Sequence, residues 1–284
     1  MFTKMSARSY FDRQYVLRKT LPSFADDVAE WERFSHDACF TGHEFFVEKY
    51  GEHPRQTMEV FKAAADQTGR GLAIFIHGGF WRAMEREQSR FMASPFLKRG
   101  LDCILLEYRL MPEFRLCDLV ADTVAALRHI ASISDRAGLS ANRIIAGHSA
   151  GAHLALYGTA QAHDQGLALP NDALLLLSGV YDIYPVARTE VGDELKMSPA
   201  EIAQWSIYSG VSTNNQPTAF VVGKDETDDF IRQTFLGGQL LGGNGEENIF
   251  LVDNANHLTL LTRFCQNDDL FETITANLMA SWKR

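Results

Sequence analysis

The sequence predicts an α/β fold in which a mostly parallel central sheet is flanked by helices. Three observations carry this. Continuously apolar runs, Leu72 to Ile76 and Leu101 to Tyr108 among them, have the signature of strands buried on both faces. Helical patterns separate these runs, as right-handed βαβ units require. Finally, the run Ile144 to Ala146 stops at Gly147-His148-Ser149-Ala150-Gly151 and is followed at once by an alanine- and leucine-rich helical pattern. The 284 residues, 46% hydrophobic and 22% charged, suit one domain over 1–284.

Residues 1–40 read as a helical extension. Ser23 is placed as a cap with Asp26 and Asp27 in the first turn, and Val28, Trp31 and Phe34 follow at helical spacing. Such a helix is expected to pack on the body of the domain. Phe45 to Tyr50 and Thr57 to Phe61, separated by a turn around Gly51 to Pro54, predict a hairpin. His53 sits in that turn and is given no chemical role. After the strand 72–76 the pattern predicts a helix from about Glu85 to Arg99, then the strand from Leu101. A helix from about Leu116 to Ala137 carries Leu119, Val120, Leu127 and Ile130 on one face. Ala173–Leu177, Ala219–Gly223 and Ile249–Val252 are the remaining strands, and one closing helix is expected from about Leu258 to Trp282. Residues 182–216 break the alternation. They are expected to form a short cap-like insertion over the C-terminal strand ends, where open α/β sheets bind ligands.

A net charge of −9 without a Lys/Arg cluster excludes a nucleic-acid footprint. No apolar run reaches membrane-spanning length, and the first residues contain no apolar signal segment. Cys39, Cys103, Cys117 and Cys265 are scattered without paired spacing, as expected of reduced thiols. A cytoplasmic chain, acting on a small molecule, is the expectation; a homodimer is left open. No histidine/carboxylate cluster has ligand spacing, so neither a metal nor an organic cofactor is expected.

The chemistry gathers around Ser149. A serine between small residues, on a tight turn from strand to helix, is forced into a strained backbone with its hydroxyl exposed. The helix behind it points N–H groups and a positive dipole end at any anion formed there. His77-Gly78-Gly79-Phe80-Trp81 follows a strand, and its glycines allow backbone N–H groups to approach an oxyanion closely.

Together these segments resemble the α/β-hydrolase superfamily, and within it the HGG-bearing esterase/lipase group. Tyr108-Arg109-Leu110-Met111-Pro112-Glu113 matches that group as well. More narrowly, His77 to Trp81 together with Gly147 to Leu154 resembles the kynurenine formamidase (arylformamidase) branch. The resemblance implies Ser149 as nucleophile and, by the chain order of the fold, an acid and then a histidine behind it. Of nine histidines, only His257 lies in a loop just after a C-terminal strand. His129 and His163 fall in helical patterns, and His148 is too close along the backbone to turn onto Ser149. In many such hydrolases the acid lies three residues after the strand-end glycine, which favours Glu226; Asp225 is the alternative. The branch more usually carries an aspartate there. Gly78, Gly79 and Phe80 with Ala150 are the expected oxyanion hole, and Trp81, Tyr181 and Tyr184 the expected pocket walls.

The function implied is hydrolysis of a carboxylic amide or ester through an acyl-enzyme, with N-formylkynurenine or a related formamide as substrate. A carboxylesterase for small acyl groups is the alternative. A non-catalytic binding protein of the same fold is a remote one, since it would be expected to have lost a member of the triad.

Overall fold

A computed structural model describes residues 6–38, 40, 43–64, 70–167, 169, 171–242 and 245–283; Cys39 lies outside them. Three helices come first, α1 (Ala7–Tyr15), α2 (Leu17–Thr20) and α3 (Phe24–Asp37). The hairpin follows as β1 (Phe45–Lys49) and β2 (Thr57–Phe61), paired antiparallel. Next come β3 (Gly71–Ile76), α4 (Ala93–Leu97), β4 (Leu101–Leu106), α5 (Leu116–Ala137), β5 (Arg143–His148), α6 (Ala150–Asp164) and β6 (Asp172–Leu177). The insertion holds short helices α7 (Tyr184–Ala187), α8 (Glu190–Leu195) and α9 (Pro199–Gln204). The chain closes with β7 (Thr218–Gly223), α10 (Asp228–Leu241), β8 (Ile249–Val252), α11 (Thr259–Gln266) and α12 (Asp268–Leu278).

All eight strands join one sheet in the order β1-β2-β4-β3-β5-β6-β7-β8, parallel from β4 to β8. Side chains alternate between its faces. Ile74, Ile76, Ile104, Ile145 and Leu176 pack with α5 and α6 on one side. Phe75, Leu105, Ala146, Leu175 and Val221 pack with α3, α4, α11 and α12 on the other. The chain leaves β3 toward β4 and leaves β5 toward β6, so the order reverses between β3 and β5. A crevice opens outside the carboxyl ends of two strands at such a reversal.

Two predicted helices are interrupted. The segment expected to be helical from 85 to 99 is a 3-10 stretch, Arg86–Met92, followed by the single-turn-scale α4. Ser89 there is non-helical (φ −118°), and Pro95 fits only within the first turn of a helix that restarts at Ala93. The closing helix splits at Asn267, whose side chain accepts the Leu270 N–H and caps α12.

Candidate active site

Ser149 stands between β5 and α6 with φ 55° and ψ −119°, a conformation that L-residues hold only when their surroundings impose it. The flanking glycines explain how the turn closes. A Cβ on Gly151 would lie 2.1 Å from the Ile76 carbonyl oxygen at the end of β3, and one on Gly147 2.3 Å from that of Gly151. Ala150 opens α6, so its N–H has no acceptor within the helix.

The loop after β3 faces this turn. Gly79, Phe80 and Trp81 run consecutively at positive φ (102°, 53° and 59°). The carbonyls of Gly78 and Gly79 are each held by two donors. The Gly78 oxygen accepts from His77 Nδ1–H (2.8 Å) and the Tyr108 hydroxyl (2.9 Å), and the Gly79 oxygen from the N–H groups of Arg82 (3.1 Å) and Ala83 (3.0 Å). In a trans peptide the N–H points opposite to the carbonyl. The Gly79 and Phe80 N–H groups are therefore turned away from these anchors, and among the described residues neither donates to a backbone carbonyl. Gly78 does not line the cavity; its missing side chain lets the loop lie against Ser149, whose Cβ would be 3.2 Å from a Gly78 Cβ.

His257 precedes α11, and its Nδ1 donates to Glu226 Oε2 at 2.8 Å. The carboxylate can only accept, so Nδ1 carries the proton and Nε2 is left as the ring's acceptor. Glu226 Oε1 accepts in turn from the Gly223 N–H (2.9 Å) and from the Ser178 hydroxyl. Of the two adjacent carboxylates, Glu226 is buried against the histidine while Asp225 is exposed and uses its N–H on the Ala255 carbonyl. Phe230 stacks on the His257 ring at 3.9 Å. His148 is buried beside it and donates Nε2–H to the His257 carbonyl (3.0 Å), and its Nδ1 has no partner among the described residues. Burial pushes the His148 imidazole well below its ordinary value, and the neighbouring His257 adds to that.

Ser149, His257, Gly79 and Phe80 open into one cavity of about 390 Å³. Its walls differ from the expected ones. Val16, Leu17, Phe24, Val28 and Trp31 of the N-terminal helices form one side, with Met84 and Val191 beyond. Trp31 also donates its indole N–H to the Leu258 carbonyl at 2.8 Å, next to the histidine. The three predicted wall residues lie elsewhere. Trp81 is fully buried with its ring edge-on to His153, because the positive φ at Phe80 and Trp81 turns the indole into the core while Phe80 keeps the cavity. Tyr181 is buried against Phe220, and Tyr184 is 48% exposed under the Arg188 guanidinium. The insertion contributes little beyond Val191. The amphipathic spacing of Val28 and Trp31 announced a buried helix face but not what it covers.

A family model for the alpha/beta hydrolase fold matches residues 73–238. The chain belongs to the α/β-hydrolase family. Curated relatives of this hydrolase include the kynurenine formamidase of Salmo salar, 25% identical over 230 residues that span 77% of this chain and 76% of the relative. That of Drosophila melanogaster is 28% identical over 240 residues, 78% of this chain and 76% of the relative. Among solved structures, a putative thioesterase from Silicibacter sp. superposes with a TM-score of 0.79 at 21% identity, covering 93% of this chain and 98% of that one. Esterase B of Lactobacillus rhamnosis gives 0.71 at 19%, covering 96% and 98%. At these identities the superpositions establish the fold alone. Among the described residues no helix is long and apolar enough to cross a membrane.

Proposed function

We propose that this hydrolase cleaves an aryl formamide by acyl transfer through Ser149. Ser149 attacks the carbonyl, and His257 Nε2 takes the hydroxyl proton and returns it to the leaving amine. Glu226 holds the tautomer and stabilises the imidazolium that forms. The N–H groups of Gly79, Phe80 and Ala150 receive the oxyanion, and water attacking in the same manner releases formate. The observation that carries the reading is the His257–Glu226 contact on the cavity that Ser149 opens into. The formamidase relatives support the formyl group, which demands almost no room on the acyl side. The apolar wall of Phe24, Val28, Trp31 and Phe80 suits an aromatic ring on the amine side. Among the described residues Cys103, Cys117 and Cys265 are free thiols, which supports a reducing, cytoplasmic setting.

The same machinery would serve a small-acyl ester, so the test runs both substrates in parallel. Wild-type protein and Ser149→Ala are assayed on N-formylkynurenine and on short-chain p-nitrophenyl esters. Formamide turnover well above ester turnover, abolished by Ser149→Ala, is the expected result. Efficient ester turnover with a silent formamide would replace this reading by the esterase one.

A further inference from the structure

Behind the Gly78–Gly79 peptide lies a buried charged cluster that the acyl-transfer scheme does not use. His77 is 1% exposed, and both of its ring nitrogens face acceptors. Nδ1 is 2.8 Å from the Gly78 carbonyl oxygen and Nε2 is 3.0 Å from Glu107 Oε1. A carbonyl never donates, so Nδ1 must carry a proton. A carboxylate does not donate either, so as long as Glu107 is ionised Nε2 must carry one too. Glu107 has every reason to be ionised. Its Oε1 also accepts from Arg55 Nη2 and the Tyr108 N–H (3.1 Å), and Oε2 accepts from the Arg86 N–H (3.1 Å).

We propose that His77 is a buried imidazolium, held by Glu107, that polarises the Gly78–Gly79 peptide and so strengthens the Gly79 N–H as an oxyanion donor. The inference rests on the hydrolytic reading above for its consequence, though not for the charge itself. Arg55 also faces Glu85 (3.8 Å), so charge is balanced over the cluster as a whole, and it is the His77 imidazolium that lies directly against the oxyanion loop. Tyr108 stacks on the His77 ring at 4.4 Å and shares its single hydroxyl proton between the His77 and Gly78 carbonyls (3.0 and 2.9 Å). Hydrogen bonds accepted by a peptide carbonyl draw electron density from the N–H of the same peptide, and such chains reinforce one another at low dielectric. That N–H belongs to Gly79, on the cavity wall. His77, Glu107 and Tyr108 are positioning residues: none lines the cavity, and each acts through the peptide.

The test reads the ring and the reaction separately. In 15N-labelled wild-type protein at neutral pH, both His77 ring nitrogens, assigned by correlation to Cβ, should resonate as protonated. An unprotonated Nε2 would overturn the proposal. Glu107→Gln lets Nε2 become an acceptor while Nδ1 keeps its bond to Gly78. It should lower kcat on p-nitrophenyl acetate by ~10-fold or more with KM nearly constant, a fraction of what losing a whole oxyanion donor costs. Tyr108→Phe, which leaves every charge in place, should give a smaller loss. The Gly79 amide proton reports the same coupling without turnover and should move upfield in both variants. Wild-type kcat and an unmoved Gly79 resonance in either folded variant would contradict the coupling. Should Ser149→Ala leave ester turnover untouched, the hydrolytic reading fails alone, while the ring and amide resonances still decide the His77 charge and its reach.

Discussion

Ser149, His257 and Glu226 each occupy a position that their backbone surroundings impose, and single substitutions separate the roles proposed for them. Glu226→Gln would still fill the space against Ser178 and Gly223 but no longer enforce the Nδ1–H tautomer of His257. Loss of the orienting carboxylate is expected to lower kcat by about 10³-fold or more, with the fold intact. Asp225→Asn, on an exposed side chain one residue away, should leave kcat within about two-fold, as surface changes do. Steady-state kinetics on one substrate checks both; equal losses would contradict the assignment of the acid. These two neighbours also show where the sequence runs out. Adjacent carboxylates after a strand satisfy the same spacing, and only tertiary packing decides which of them turns inward. The serine and the glycine loop were legible because their chemistry demands a local backbone geometry. Gly151 shows this: an alanine Cβ there would sit 2.1 Å from the Ile76 oxygen.

At the scale of elements, the N-terminal helices carry more of the site than their sequence announced. Trp31 of α3 lies on the cavity wall, contacts His148 at 5.7 Å and donates to the Leu258 carbonyl. Asp27 of the same helix accepts from Asn256 Nδ2 (2.9 Å), in the loop that carries the histidine. Trp31→Ala is expected to cost about 3–5 kcal/mol in unfolding free energy, as deletion of a buried aromatic does. Beyond that, KM for an aryl substrate should rise by more than KM for a short ester, since the wall proposed to receive the ring is lost. Denaturant melts and paired kinetics check this; an unchanged KM ratio would show that the aryl group lies elsewhere. The role was not readable from the pattern because it rests on contacts between residues 16–31 and residues 148–258, far apart in the chain. The inner strands β3 to β7, by contrast, were legible nearly to their ends, since burial on both faces writes a continuous apolar run. The helices at 85–99 and 258–282 were joined too readily, because hydrophobic periodicity persists across Ser89 and Asn267 where the backbone does not.

At the scale of the whole molecule, two buried neutral imidazoles set an acid limit. His153 donates Nε2–H to the Trp205 carbonyl, its Nδ1 has no partner among the described residues, and burial pushes it down to about 4. His148 is shifted in the same direction. The unfolded chain protonates such groups near pH 6.5 while the folded protein does not. Unfolding then takes up protons, so this contribution is complete above about pH 6.5 and is lost as the pH falls toward 4. For His153 alone it amounts to about 3 kcal/mol. The melting temperature should therefore fall on acidification through that window. His153→Gln keeps an N–H for the Trp205 carbonyl and should flatten the slope even if it lowers the plateau. A slope identical to wild type would contradict the neutral, buried state of His153.

If acyl transfer runs through Ser149 under the control of His257, covalent labelling of the serine will depend on both residues. An activated phosphonate ester that mimics the tetrahedral intermediate is incubated with the protein, and the adduct is located by peptide mass spectrometry. A single adduct on Ser149 is expected, formed far more slowly in His257→Ala and absent in Ser149→Ala. An adduct on another residue, or labelling of Ser149 that does not depend on His257, would contradict it.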